Sequence, residues 1–288
     1  MPELPEVETV RSDLAGVLPG RRVRWATVTG ARSLRHTARP ELLASSLVGS
    51  IVRAVGRRGK LLLLELDSPA KQALLLVVHL GMSGQLCWIE EPGQLAPARH
   101  THARIGFRPG GELRFVDPRT FGWIALADAG EAGRQVPLLG ALGPEPLGRL
   151  GPAGLWRLLA RRRGRLKAVL MDQHVLAGIG NIYSDEILHA ARLRWDRAAC
   201  SLDVSEVRRL HRAMRSVLRE AVAARGSTLG DQQYRDLFGE AGSYQSLHGV
   251  YGREGLPCPR CGAAVVRERF AGRSTFSCPR CQLPGPLT

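Results

Sequence analysis

The chain has 288 residues, with 41 Lys and Arg against 26 Asp and Glu, a formal net charge of +15. That length suits two domains with separate cores, and a positive field of that size favours a polyanionic partner, above all nucleic acid. No apolar run reaches the roughly 18 residues of a membrane span, and no basic stretch followed by an apolar run marks a secretory signal, so a cytoplasmic protein with no membrane contact is expected, with access to the nucleoid if the host is a bacterium.

The chain begins Met1-Pro2-Glu3-Leu4-Pro5-Glu6. With Met1 removed, Pro2 offers a free secondary amine, and an α-amino group has a reference pKa of about 7.7–8.0, so part of it is nucleophilic near neutrality. Such an amine adds to a sugar aldehyde carbon to give a Schiff base that stays cationic. Glu3 places a carboxyl group beside it. The same residues also fit a helix entry with a proline turn.

Residues 6–18 have helical spacing, with Val7, Val10, Leu14 and Leu18 on one face. Strand-like runs follow at Val23–Val28, Ser50–Val55, Leu61–Leu66 and Ala73–Leu80. His102–Phe107 and Glu112–Val116 flank a Pro-Gly-Gly turn, and Trp123–Leu126 reads as a further strand. Short strands at close intervals over residues 1–136 predict a β-sandwich or barrel, the sandwich being preferred. Residues 137–150, rich in Pro, Gly and Leu, read as a linker. Leu155–Arg163, Ser184–Ala191 and Val204–Arg225 are helical by length and period, within a domain spanning 151–246. The polar stretch from Gly226 to Ser246 has no period and reads as a long loop in that domain. The fold class expected is therefore multidomain α+β: a β-sandwich with a flanking helix, a helical domain, and a small C-terminal module over 247–288.

That module carries four of the six cysteines. Cys258-Pro-Arg-Cys261 and Cys278-Pro-Arg-Cys281 are separated by 16 residues, a zinc-site spacing. Two such turns complete a closed tetrahedral shell, which predicts one structural Zn²⁺ and no open coordination position. The spacer reads as a hairpin, Ala263–Phe270 and Ser274–Ser277, with Ala271-Gly272-Arg273 at its tip. Its arginines suit a nucleic-acid backbone, although zinc ribbons also bind proteins.

Taken together, Met1-Pro2-Glu3-Leu4-Pro5-Glu6-Val7-Glu8-Thr9-Val10 and the four-cysteine finger resemble bacterial formamidopyrimidine-DNA glycosylase. The resemblance runs in order along essentially the whole chain. It takes in Gly59-Lys60, His79-Leu-Gly-Met82-Ser-Gly84, Asp117-Pro-Arg119-Thr-Phe121-Gly122, Leu142-Gly-Pro-Glu-Pro-Leu147, Met171-Asp-Gln173 through Gly178-Ile-Gly-Asn-Ile-Tyr183, and Val250-Tyr-Gly-Arg-Glu-Gly255. It implies a helix–two-turn–helix domain and a bifunctional enzyme that excises oxidised purines from double-stranded DNA and then cuts the strand. A base inside a duplex must be flipped out to be reached. On this resemblance Pro2 is the nucleophile, Glu3 a general acid, Lys60 the acid of the elimination stage, and Arg273 the residue tied to δ-elimination and phosphate binding. Met82, Arg119 and Phe121 would fill the vacated stack. Asn181 matches a phosphate ligand, and His100 and Arg162 match further DNA-contact positions, with His79 and Lys167 as further candidates; Glu6 matches a second carboxylate near the site, in the DNA-binding set. A monomer acting without a small-molecule cofactor is expected.

Two positions depart from the family pattern. Thr120 stands where many relatives carry a second basic residue, and Asp231–Tyr244 aligns only loosely with the loop that closes over the flipped base. Two alternatives therefore stand beside the purine enzyme: an endonuclease VIII-like glycosylase for oxidised pyrimidines, and a non-catalytic zinc protein that binds damaged DNA. Leu4 and the complete Met82, Arg119 and Phe121 set favour the purine branch.

Overall fold

The N-terminal helix α1 (Leu4–Val17) starts two residues before the point its periodicity predicts. The reason is local. Pro5 sits in the first turn, where a missing N–H costs nothing, and Glu3 and Glu6 form a reciprocal capping box. This is seen in a computed structural model that describes residues 2–29, 33–35, 39–92, 96–230 and 234–284. The chain divides into two compact units, Met1–Ala141 with Arg225–Ser243, and Leu142–Ala224 with Tyr244–Thr288.

In the first unit α1 is followed by β1 (Arg22–Val28), α2 (Pro40–Leu47), β2 (Ile51–Arg58), β3 (Leu61–Asp67), β4 (Ala73–His79), β5 (Gln85–Ile89), β6 (Thr101–Arg108), β7 (Glu112–Val116) and β8 (Trp123–Asp128). The strands are antiparallel in the order β5-β7-β6-β1-β2-β3-β4-β8. Among the described residues β1 and β2 meet only where Arg22 lies opposite Ile51, whereas β2 and β3 pair from Ile51–Asp67 to Arg58–Leu61. The sheet turns at that seam into two layers, which makes the β-sandwich. Alternate residues point inward, as the period of 2 requires. Leu62, Leu64, Leu66, Leu74, Leu76 and Val78 of one layer meet Ala103, Ile105, Phe107, Leu113 and Phe115 of the other, with Val7, Val10 and Leu14 of α1 joining the same core.

Two short helices, α3 (Ala132–Gln135) and α4 (Pro137–Ala141), follow β8, so the predicted linker begins inside a helical turn. Residues 225–243 belong to this unit, whereas the sequence groups them with the helical domain. Tyr234 and Leu237 are buried in the sandwich core, and the Leu237 carbonyl accepts from the Trp88 N–H at 3.0 Å. The Arg225 guanidinium reaches Asp13 at 2.6 Å and Asp236 at 2.5 Å. Two apolar anchors in a polar stretch leave no periodic trace. Positions 231–233 of the divergent loop lie outside the described residues.

The second unit holds α5 (Pro152–Leu159), α6 (Leu166–Met171), α7 (Asn181–Ala191), α8 (Val204–Ala223) and the hairpin β9 (Val266–Phe270) and β10 (Arg273–Ser277). α8 is amphipathic, with Val207, Leu210, Met214, Val217, Leu218 and Ala221 buried, and starts at an Asp203–Glu206 capping box. α7 is buried nearly all round, Asp185, Glu186 and His189 included. The hairpin turns through Ala271 and Gly272, both at positive φ (49° and 76°), which suits the twist of a two-residue turn. Arg273 therefore opens β10 opposite Phe270 and is not part of the turn. No helix among the described residues is long and apolar enough to cross a membrane.

Candidate active site

Pro2 and Glu3 are buried at the head of α1. The Glu3 N–H donates to Glu6 Oε2 at 2.8 Å, and the Ser227 N–H donates to Glu6 Oε1 at 2.8 Å. Glu6, 1 % exposed, is thus a bracket that fixes the N-terminal residues to the 225–243 segment. The sequence suggests a carboxylate near the site; the structure adds what it holds. Gly226 is part of the same fitting. Its φ is +79°, and a Cβ there would lie 2.7 Å from Glu6 Oε1. Lys60 is the second residue of the two-residue turn between β2 and β3, after Gly59 at φ 57°, and is itself buried. The Arg57 side chain donates to Glu8 Oε2 at 2.7 Å and to the Gly59 carbonyl at 2.9 Å, so this turn is tied to α1. Pro2, Glu3 and Lys60 are all held by the first unit.

The β4–β5 and β7–β8 loops are bolted together by Asp117, which is fully buried. Its carboxylate accepts from Ser83 Oγ at 2.5 Å, the Gly122 N–H at 2.7 Å and the Arg119 N–H at 3.2 Å. A Cβ at Gly81 (φ 64°) would lie 2.4 Å from the Gly122 nitrogen, so the two backbones touch. This rigid base leaves Met82 39 % and Phe121 49 % exposed, with the Arg119 guanidinium over the Phe121 ring at 5.1 Å. Large apolar side chains held out from a fixed base are the opposite of core packing. His100 is exposed at φ 68°, and its carbonyl accepts from the Asp117 N–H. His102 Nε2 bonds the Asp117 carbonyl at 2.8 Å, which makes it structural.

His79 sits behind the Met82 turn. Its ring stacks on Trp123, with centroids 5.6 Å apart, and Nδ1 accepts from the Gly81 N–H at 3.1 Å. Burial, then the charges of Lys60 and Arg35, lower its pKa from 6.5 to about 4. The ring is therefore neutral near pH 7, and its visible work is shaping the turn. The native state holds fewer protons on His79 than the unfolded chain between pH 6.5 and 4, so this contribution to stability is complete above 6.5 and is lost as the pH falls through that window. Thermal unfolding measured from pH 7 to 4 should show a shallower acid decline for His79→Gln than for wild type. Parallel curves would remove His79 from the account.

In the second unit Asn181, Lys167 and Arg273 line one cleft of about 210 Å³ with Met171, Asp172 and Phe270. Gln173 shapes the turn leading into it, donating to the Ile179 carbonyl at 2.8 Å and accepting from the Gly178 N–H at 2.8 Å. Asn181 opens α7, and its amide nitrogen donates to the Ser274 carbonyl at 3.1 Å. Arg273 and Arg162 are exposed, with Arg162 3.9 Å from Asp172. Lys167 has a different place from the DNA-contact position the sequence suggests. It is 1 % exposed, and Nζ donates to Asp185 Oδ1 at 2.8 Å and Thr275 Oγ1 at 2.9 Å. It joins α6 and α7 to the hairpin. The sequence does not single out Asp185 and Glu186, because their buried partners lie in the distant finger segment.

The Sγ atoms of Cys258, Cys261, Cys278 and Cys281 lie within 4.8 Å of one another. The Cys258–Cys281 and Cys261–Cys278 separations are 4.0 and 3.4 Å. A tetrahedral zinc with Zn–S near 2.3 Å sets S···S edges of about 3.8 Å, so the four thiolates fit one structural zinc ion.

Comparison with known proteins agrees with this architecture. Residues 1–124 match the formamidopyrimidine-DNA glycosylase N-terminal domain, 142–233 the formamidopyrimidine-DNA glycosylase H2TH domain, and 255–283 the zinc finger found in FPG and IleRS. The chain is 44 % identical to the formamidopyrimidine-DNA glycosylase of Nocardia farcinica, covering 98 % of each. Its fold is similar to the crystal structure of the MutM (Fpg) protein of Thermus thermophilus (TM-score 0.86, 44 % identity, 99 % of this chain and 100 % of that one). It is also similar to Lactococcus lactis Fpg in complex with abasic-site DNA (TM-score 0.88, 30 % identity, 98 % and 100 %). With all three parts matched in order and near half the residues shared over the full length, the chain belongs to the formamidopyrimidine-DNA glycosylase family.

Proposed function

We propose that this protein is a base-excision repair glycosylase and abasic-site lyase that removes oxidised purines, 8-oxoguanine and formamidopyrimidines, from double-stranded DNA. The observation that carries the reading is the N-terminus itself. Pro2, whose nitrogen becomes a free amine once Met1 is removed, and the Glu3 carboxyl are buried at a capped helix start that Glu6 fixes in place. The Pro2 nitrogen attacks C1′ of the flipped nucleotide, and the glycosidic bond breaks with its electron pair leaving on the base, which takes up a proton as the amine nitrogen gives up its own. Glu3 gives a proton to the sugar ring oxygen as the ring opens. The resulting iminium acidifies C2′. Loss of that proton forms the C2′–C3′ double bond and expels the 3′ phosphate, with Lys60 as the acid of this stage. Loss of the C4′ proton then expels the 5′ phosphate, whose charge Arg273 holds bidentately. Water releases Pro2 from the iminium.

Met82, Arg119 and Phe121 supply the wedge: two apolar side chains for the emptied step and a guanidinium for the orphaned base. Asn181, Arg162 and His100 position the phosphate backbone. The protein is read as a monomer that needs no small-molecule cofactor, working at the nucleoid. Its zinc holds the finger in shape and takes no part in the chemistry.

Excision rates on matched duplexes test the lesion class. An 8-oxoguanine:C duplex should be processed at least about tenfold faster than a thymine glycol:A duplex, a gap of roughly 1.4 kcal/mol in transition-state binding. The reverse order would move the enzyme to the pyrimidine branch. A chain that binds both lesions and cuts neither would make it a damage-binding protein.

A further inference from the structure

Helix α7 grips the finger at three successive points. Asp185 Oδ2 accepts from the Phe276 N–H at 2.9 Å. The Glu186 carboxylate accepts from the N–H groups of Gly249, Val250 and Tyr251 at 2.8, 3.0 and 2.7 Å. One turn further on, His189 Nε2 lies 3.3 Å from Cys258 Sγ. Both residues are buried, His189 at 6 % exposure and Cys258 at 2 %. The ring has little room to move. A Cβ at Gly249 would come within 2.6 Å of Nδ1, and the His189 carbonyl accepts from Arg260 Nη1 at 2.9 Å.

A metal-bound thiolate has lone pairs and no proton, so in this contact it can only accept. The proton must therefore sit on His189 Nε2. A buried ring N–H without a partner would be costly, and the partner here is a ligand sulfur. Four thiolates around one Zn²⁺ leave net negative charge in a half-buried shell, and a hydrogen bond to one sulfur disperses part of it. We infer that His189 is a positioning residue of the zinc centre: its Nε2–H hydrogen bond holds and electronically tunes the Cys258 thiolate and so sets how firmly the finger keeps its metal. A phenylalanine would fill the same volume and donate nothing. Hydrogen-bonding groups behind metal ligands are worth about 10–100-fold in metal affinity where they have been removed.

The test compares full-length wild type with His189→Phe, His189→Gln and His189→Asn. Zinc transfer to a chromogenic chelator is timed. The thiolate-to-metal charge-transfer band is recorded for each protein loaded with Co²⁺. His189→Phe should release zinc about tenfold faster. Its cobalt band should move to lower energy, because a sulfur relieved of its hydrogen bond gives up charge more easily. His189→Gln, which keeps an N–H donor, should fall between the two. Wild-type release and an unmoved band in His189→Phe would overturn the proposal, as would a Gln variant as leaky as the Phe variant with an unmoved band. Should His189→Phe fail to fold, the amide pair decides. Gln reaches the sulfur and Asn falls one bond short, so equal release and equal bands in the two would overturn it, and faster release with a red-shifted band in Asn alone would uphold it.

Discussion

A chain that keeps Met1, or carries a tag ahead of Pro2, is expected to bind lesion duplex and leave it uncut. Borohydride reduction traps the iminium as a stable adduct, so the measurement is the yield of protein–DNA cross-link beside the binding curve. The loss should reach about 10³-fold or more, the scale seen when a covalent nucleophile is removed. Binding should stay close to wild type, because the proposed wedge and the proposed phosphate ligands lie elsewhere in the chain, and keeping Met1 leaves the charge of +15 unchanged. Pro2→Gly is a weaker test, since glycine still presents an amine. The pH dependence adds a second check. An α-amino group has a reference pKa of about 7.7–8.0, so trapping by the processed enzyme should rise through that range as the amine loses its proton. Undiminished trapping by the blocked chain would show that the nucleophile is some other group.

Much of this site was legible because its chemistry sits in residue types that have few other uses. Cys258, Cys261, Cys278 and Cys281 declare a metal by spacing alone, whereas Pro2-Glu3, which also fits a helix entry, takes its catalytic reading from the family resemblance. The strands were legible because alternate residues such as Leu62, Leu64 and Leu66 face one core. What escaped was carried by single contacts between distant parts of the chain. Glu6 has a dual signature, helix cap and bracket for Ser227, and only the cap is local. Tyr234 and Leu237 anchor a polar segment to the sandwich with two side chains, too few for any period. α6 spans six residues, shorter than the window in which helical periodicity shows. Lys167 is the instructive case. A lysine in a basic chain that resembles a DNA-binding family reads as a phosphate contact, and nothing in its own neighbourhood announces that Asp185 lies 2.8 Å away.

Lys167→Met should therefore act through stability and not through DNA charge. Its side chain and that of Asp185 are 1 % and 0 % exposed, and removing one partner of such a pair leaves the other charge buried, which costs about 3–5 kcal/mol. Asp185→Asn alone leaves the lysine in the same position. The double variant Lys167→Met/Asp185→Asn should recover a large part of the loss, since the asparagine oxygen can still accept from the Phe276 N–H and no charge remains. Burial pushes the Asp185 carboxyl above its ordinary value of 3.8, and the Lys167 ammonium pulls against that rise. With the lysine gone the rise is unopposed. A raised carboxyl pKa means that the native state keeps a proton the unfolded chain has released, so the penalty in Lys167→Met should be least below pH 3.8 and grow as the pH rises above it. Urea unfolding of the four proteins across pH measures this. Duplex binding against salt separates the two roles of the residue. A phosphate contact would lower the slope of log K against log[salt] by roughly one when removed, whereas a buried strut leaves the slope where it was. A reduced slope together with wild-type stability would return Lys167 to the DNA surface. An unchanged slope with the expected loss makes it the fastening between α6, α7 and the finger hairpin that carries Arg273.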